Sequence, residues 1–208
     1  LFRHRCQEVG APLYQGGIDF KTRGKSRGLF NYFGLQDQIS GLTLSLRGRH
    51  QYGNAAVALA VVELLNRDGF PVPEAAIREG LARSRWPGRL EVVAQDLRVM
   101  LDGAHNPAAA LTLAQSLKQV RNHGRLILAR GVMADKDVDT ILARLLPLAQ
   151  MVIFTQPQYF RAATPRDLAR RAQPYGLEIL QTPRVAAAVH QAQSLAGPED
   201  QIVVTGSL

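Results

Sequence analysis

The chain reads as a doubly wound α/β protein with a mainly parallel sheet, preceded by a piece of different character. Short, almost wholly apolar runs recur at 126–129, 151–155 and 201–205, as strands buried on both faces require. From about Gly88 onward such runs alternate with segments of helical spacing, the pattern of a sheet covered by helices on both sides. Ahead of Gly88, scattered glycines and alternating pieces replace that rhythm.

In order, residues 11–47 contain alternating stretches such as Leu42, Leu44 and Leu46, which predict antiparallel β structure. Helices are expected at 54–66 and, after the Asp68-Gly69 turn, at 73–83; Ala58, Leu59, Val62 and Leu65 carry the first one's apolar spacing. About 45 residues without a complete sheet make a poor core, so 1–83 reads as the tail of a larger domain. Residues 84–89, around Trp86-Pro-Gly88, read as a linker, and 90–208 as the doubly wound domain. Its strands are expected at 90–93, 99–101, 126–129, 151–155, 177–180 and 201–205, and its helices at 107–120, 138–148, 165–172 and 185–195. The crossovers should be right-handed.

Composition narrows the function classes. The longest apolar stretches, such as 55–62, are far shorter than a membrane span. A single cysteine, Cys6, allows neither an intramolecular disulfide nor a cysteine-based zinc site, and the cytoplasm is the expected compartment. The net charge of +8 raises nucleic acid as a partner, yet residues 1–50 carry +5 of it with no basic run interleaved with aromatics. No nucleic-acid partner is expected. The chain begins with Leu rather than Met and ends on Thr205-Gly-Ser-Leu208, and a cut at both ends is expected.

The segment Asp102-Gly-Ala-His-Asn-Pro107 holds the densest chemistry. An apolar strand ends in Asp102, and a short loop leads to a helix with Pro in its first turn. Ligands of open α/β sheets sit at such strand ends. Asp102, His105 and Asn106 offer acceptors for ribose hydroxyls and a donor for phosphate or carboxylate, and Gly103 lets backbone approach a ligand. The same residues could instead cap the helix and make a turn.

This segment, with Pro87-Gly-Arg-Leu-Glu91 ahead of it, resembles the paired signature of the folylpolyglutamate synthase family within the Mur ligase superfamily. Further blocks resemble the family in its order: Leu46-Arg-Gly-Arg-His-Gln51 with Asn54-Ala-Ala-Val-Ala-Leu59, Gly131-Val-Met-Ala-Asp-Lys-Asp137, and Val203-Val-Thr-Gly-Ser-Leu208. Gly17-Ile-Asp-Phe20 is a weaker match. The resemblance implies a C-terminal Rossmann-like glutamate-ligase domain at 90–208, preceded at 1–83 by the tail of a central ATPase domain.

The implied activity is an ATP-dependent C–N ligation. ATP phosphorylates the carboxylate of dihydropteroate or a reduced folate, and the amine of L-glutamate attacks the acyl phosphate. The resemblance places Asn54 at the adenine, Arg89 at the phosphates, Asp102 at the ribose and His105 beside the reacting acyl phosphate. Lys136 and Ser207 are candidates for holding glutamate. Taken without the resemblance, Asn54 could be a helix cap, Arg89 a surface residue, and Lys136, between Asp135 and Asp137, part of a solvated charge run. Arg161, in Phe160-Arg-Ala-Ala163, matches an Arg-Ala pair of the family.

Magnesium is the implied metal, with no ligand for it assigned to this chain. Phosphoryl transfer needs a glycine-rich cradle ending in Lys-Ser or Lys-Thr; Gly24-Lys-Ser26 has Asp19 where the leading glycine would stand. The phosphate loop is therefore expected N-terminal to this chain, which should be inactive alone, and a monomer is expected. A Mur-type ligase of cell-wall precursors, a non-catalytic nucleotide-binding module and an RNA binder are the alternatives.

Overall fold

The computed structural model describes residues 1–26, 28–94, 99–120 and 124–206. They group into two compact units, Leu1–Arg85 and Trp86–Leu208.

In the first unit a helix, α1 (Phe2–Val9), precedes an antiparallel sheet of β1 (Lys21–Ser26), β2 (Leu29–Phe33) and β3 (Gln38–Thr43), in that spatial order. Two helices follow, α2 (His50–Arg67) and α3 (Glu74–Arg83). Helix α1 buries no residue, which is why its sequence gives no apolar spacing to read. The alternation at Leu42, Leu44 and Leu46 does mark inward positions, with Leu42 and Leu44 buried and Leu46 packed against the core. The strand itself ends at Thr43, and the Leu44 amide still donates to the carbonyl of Gly28, the next pair in the same register.

Helix α2 packs Ala55, Ala56, Leu59 and Ala60 against Phe20, Phe30, Tyr32 and Leu42. One turn beyond Leu59 on the same buried face stands Glu63, 5% exposed. Its carboxylate accepts from the Tyr32 hydroxyl (2.9 Å) and from the backbone amides of Leu35 (3.0 Å), Gln36 (2.6 Å) and Asp37 (2.8 Å). A single helical side chain thus closes the β2–β3 turn. Burial pushes the Glu63 carboxyl up, but the three amides and the hydroxyl together hold it below the ordinary carboxylate range. The Tyr32 phenol is pushed well above its usual value, first by burial and then by that carboxylate.

The second unit is a six-stranded sheet in the order β4-β5-β9-β6-β7-β8. Its strands are β4 (Glu91–Ala94), β5 (Val99–Asp102), β6 (Leu126–Gly131), β7 (Met151–Phe154), β8 (Glu178–Gln181) and β9 (Gln201–Gly206). Helices α4 (Pro107–Val120), α5 (Val138–Leu145), α6 (Pro165–Ala172) and α7 (Val185–Leu195) alternate with the strands. All neighbours from β5 to β8 run parallel, and β4 pairs antiparallel with β5. Only residues 95–98 separate β4 from β5, too short a link for a parallel crossover.

Alternate strand residues serve opposite faces. Met100, Leu126, Leu128, Val152, Phe154 and Val203 pack with α4, α5 and α6 residues such as Leu113, Ile141 and Leu168. Val99, Ile127, Ala129, Met151, Ile153 and Ile202 pack with Ala188 and Ala192 of α7. Helix α5 stops at Leu145, short of the expected 148, and a 3₁₀ turn takes over at Leu146–Leu148. Pro147 has no amide to continue the α-helical ladder, so the chain tightens into the 3₁₀ turn while Leu146 keeps helical dihedrals (φ -61, ψ -35). Gly206 ends β9 at φ 151, and a Cβ there would run into the carbonyl oxygen of Gly131, its partner at the end of β6.

Candidate functional site

The parallel strands deliver their carboxyl ends to one edge, and the sequence places its polar residues there. Strand β5 ends in Asp102, β9 in Thr205 and Gly206, and β6 in Arg130 and Gly131. The register aligns Asp102 with Thr205, Thr205 with Arg130, and Arg130 with Phe154. Register partners share a face, so Asp102, Thr205 and Arg130 form one polar row at the top of the α4–α6 side.

Asp102 joins two segments that the sequence keeps apart. Its Oδ2 accepts from the Leu90 amide (3.1 Å) and its Oδ1 from the Ala104 amide (3.0 Å). The Gly103 amide donates to the carbonyl of Gly88 (2.8 Å), and the Gly88 amide to Glu91 Oε2 (2.8 Å). These bonds hold Leu90 at φ 46, a left-handed value that costs a branched residue free energy. Its side chain is 3% exposed in the core, and that burial offsets the strain. The expected strand at 90–93 starts one residue late for this reason.

His105 is half-buried, with Nδ1 2.8 Å from the carbonyl of Gly103. With the proton on Nδ1, that nitrogen donates to the carbonyl and Nε2 is left as the acceptor. Asn106 caps α4: its Oδ1 accepts from the Ala109 amide (2.8 Å), and its carbonyl accepts from Ala110 (2.9 Å). Of the two readings open for this loop, capping falls to Asn106 alone, while Asp102 pins backbone and His105 leans on Gly103. Asn106→Ala should lower stability by about 1 kcal/mol, seen as a lower urea midpoint with an unchanged slope.

The other expected residues stand on separate elements. Arg89 is exposed on the segment that Asp102 pins. Asn54 belongs to the first unit, is exposed, and donates from Nδ2 to Gln51 Oε1 (2.9 Å). It is no cap: α2 starts at His50, so His50 and Gln51 lie within its first turn rather than ahead of it. Lys136 is half-buried on the loop after β6, where its amide donates to Met133 and its carbonyl accepts from Val138. The neighbouring acids are engaged, Asp137 as the cap of α5 through the Thr140 amide (3.2 Å) and Asp135 with Arg161 Nη1 (2.8 Å). Arg161 also lies 5.3 Å from the Tyr159 ring centroid and 5.8 Å from that of Phe160. Ser207 lies outside the described residues.

Arg130 escaped the sequence reading, which ended its strand at Ala129. The strand continues to Gly131, and the guanidinium is wholly buried. Burial pushes it down to about 10, against the pull of the Asp102 charge. Its signal was an arginine enclosed by Ala129 and Gly131-Val132 where a strand still had apolar company. Among the described residues, no group of three or more His, Cys, Asp or Glu side chains converges as a metal site, and no helix is long and apolar enough to cross a membrane.

A parallel sheet with a pinned Asp-Gly-Ala-His-Asn-Pro loop at its carboxyl edge defines a ligase domain of the Mur type. The chain belongs to that family: residues 88–208 match the family model described as Mur ligase, glutamate ligase domain. Within it, the chain is homologous to the folylpolyglutamate and dihydrofolate synthases and corresponds to their C-terminal portion. It is 35% identical over 206 residues to the dihydrofolate synthase/folylpolyglutamate synthase of Escherichia coli, covering 97% of this chain and 45% of that protein. The Bacillus subtilis counterpart is 28% identical over 213 residues, 100% of this chain and 49% of its own. Among solved structures, E. coli FolC in complex with DHPP and ADP superposes with a TM-score of 0.88 at 30% identity, over 99% of this chain and 47% of that one. The chain therefore spans about half the length of these relatives.

Proposed function

We propose that this chain supplies the nucleoside-holding and glutamate-holding part of an ATP-dependent ligase that adds L-glutamate to dihydropteroate or a reduced folate through an acyl phosphate. The observation that carries the reading is the Asp102–Pro107 loop, fixed at a strand end and bonded to the segment bearing Arg89. Solved relatives support the ligand classes: one is described with DHPP and ADP, another with Mn, AMPPNP and L-glutamate.

In this reading the domains run 1–83, 84–89 and 90–208, and the protein acts as a cytoplasmic monomer. Asp102, at the carboxyl end of β5, would accept from ribose hydroxyls with its carboxylate. Arg89 would reach the phosphates with a planar cation, and Asn54 the adenine edge. His105 would lie beside the acyl phosphate, and Lys136 with Ser207 would bind the glutamate carboxylates. When bound, a divalent ion, magnesium in this proposal, would offset charge developing on the transferred phosphoryl group.

Without the glycine-rich cradle, the 208-residue chain should not turn over. A steady-state assay with ATP, glutamate and a reduced folate should give no substrate-dependent ADP release. Robust release requiring all three substrates would sink this division of labour.

A further inference from the structure

We propose that Arg130 is a positioning residue, setting the shape of the Asp102–Asn106 loop from beneath the strand ends. The inference rests on the nucleotide reading above and adds a residue that the reading does not use. Arg130 is 0% exposed, so it touches no ligand. Its Nη2 donates to the carbonyl of Ala104 (3.2 Å) and its Nη1 to Thr205 Oγ1 (3.3 Å), while Nε has no partner. Asp102 already takes the amide of Ala104. Both polar groups of that buried residue are therefore fixed from below, the N–H by a carboxylate and the C=O by a cation. The peptide leading into His105 has one orientation as a result.

The placement is hard to explain by stability. A buried guanidinium carries a desolvation cost, and an apolar side chain of similar volume is often as stable or more so. The face that Arg130 shares is lined by Leu126, Leu128, Val152, Phe154 and Val203, where Met or Leu would continue the core. What an apolar residue could not do is hold Ala104 and Thr205 together. Thr205 is two residues from Ser207, so one side chain ties the nucleoside loop to the strand end leading to the proposed glutamate site.

The test compares Arg130→Met, Arg130→Lys and the parent chain by calorimetry with ADP and by amide exchange. Arg130→Met should weaken ADP binding about tenfold or more, the worth of a charge-assisted hydrogen bond. It should speed exchange at Gly103 and Ala104 while leaving Val152 and Ile153 of β7 protected. Arg130→Lys keeps the cation but not the planar fork and should recover part of both losses; it also carries the test if the Met variant does not fold. A purely structural role would deprotect β7 as well and show no recovery with Lys, and this outcome overturns the proposal. So does an Arg130→Met chain with parental ADP affinity and parental exchange. If the parent chain binds no ADP, the nucleotide reading fails. Arg130 is then judged on exchange alone: selective loss at Gly103 and Ala104 upholds its positioning role, and no change overturns it.

Discussion

Asp102→Ala is expected to weaken ATP binding by roughly 100-fold, about 3 kcal/mol for losing a charged acceptor. Two effects combine. The ribose loses its proposed acceptor, and the amides of Leu90 and Ala104 lose the oxygens that pin them. Freed from that bond, Leu90 should relax from φ 46 toward the ordinary β region, letting the segment that bears Arg89 drift. Asp102→Asn retains one acceptor oxygen and should fall between the two. Calorimetry on the three chains checks the ranking. ATP affinity untouched by Asp102→Ala would remove the main support for the nucleotide reading.

Glu63→Gln should lower stability by about 3 kcal/mol, although Glu63 is given no part in the proposed chemistry. Each carboxylate oxygen serves two donors: Oε2 takes the Tyr32 hydroxyl and Leu35 amide, and Oε1 the Gln36 and Asp37 amides. An amide replaces one of those oxygens with an NH₂, which faces donors and accepts nothing. About two charged hydrogen bonds are lost, each worth about 1.5–3 kcal/mol. The sign of the pH dependence follows from the lowered carboxyl. A carboxyl held below its unfolded value contributes fully above that value, about 4.3 for Glu. The contribution disappears as pH falls through the lowered folded value. Urea midpoints of parent and variant should therefore stand furthest apart near neutral pH and converge below about pH 4. A gap that stays constant into acid would show that Glu63 is not acting as an ionised acceptor.

The parallel sheet was legible because its physics is local. Strands buried on both faces must be apolar throughout, and helices α4, α6 and α7 fall where the spacing put them. Pro147 trimmed α5 by a rule visible in the sequence, though its weight against Leu146 and Leu148 was not. The loop Asp102–Pro107 stood out because acids, amides and a histidine seldom crowd a strand end without a reason. What stayed hidden depends on partners distant in sequence. No pattern near Leu90 announces a positive φ, since the carboxylate holding it comes from residue 102. Helix α1, burying nothing, leaves no apolar stripe. Glu63 and Arg130 are charges at inward positions. The spacing from Leu59 to Glu63 and the strand from Leu126 to Gly131 both announce inward faces, and a charge there asks for a buried partner.

The contact between Gly206 and Gly131 has a consequence for how this protein can vary. In a saturation library, Gly206 should tolerate nothing larger than glycine, because a Cβ there meets the Gly131 peptide, and Gly131 should resist change because a Cβ there meets the Pro157 ring and the Thr155 carbonyl. Gly10, Gly41 and Gly176 also have positive φ but face open space, so Asn or Asp should survive there. Adaptation at this edge of the sheet is thereby channelled into the loops that leave it, while the strand ends stay fixed.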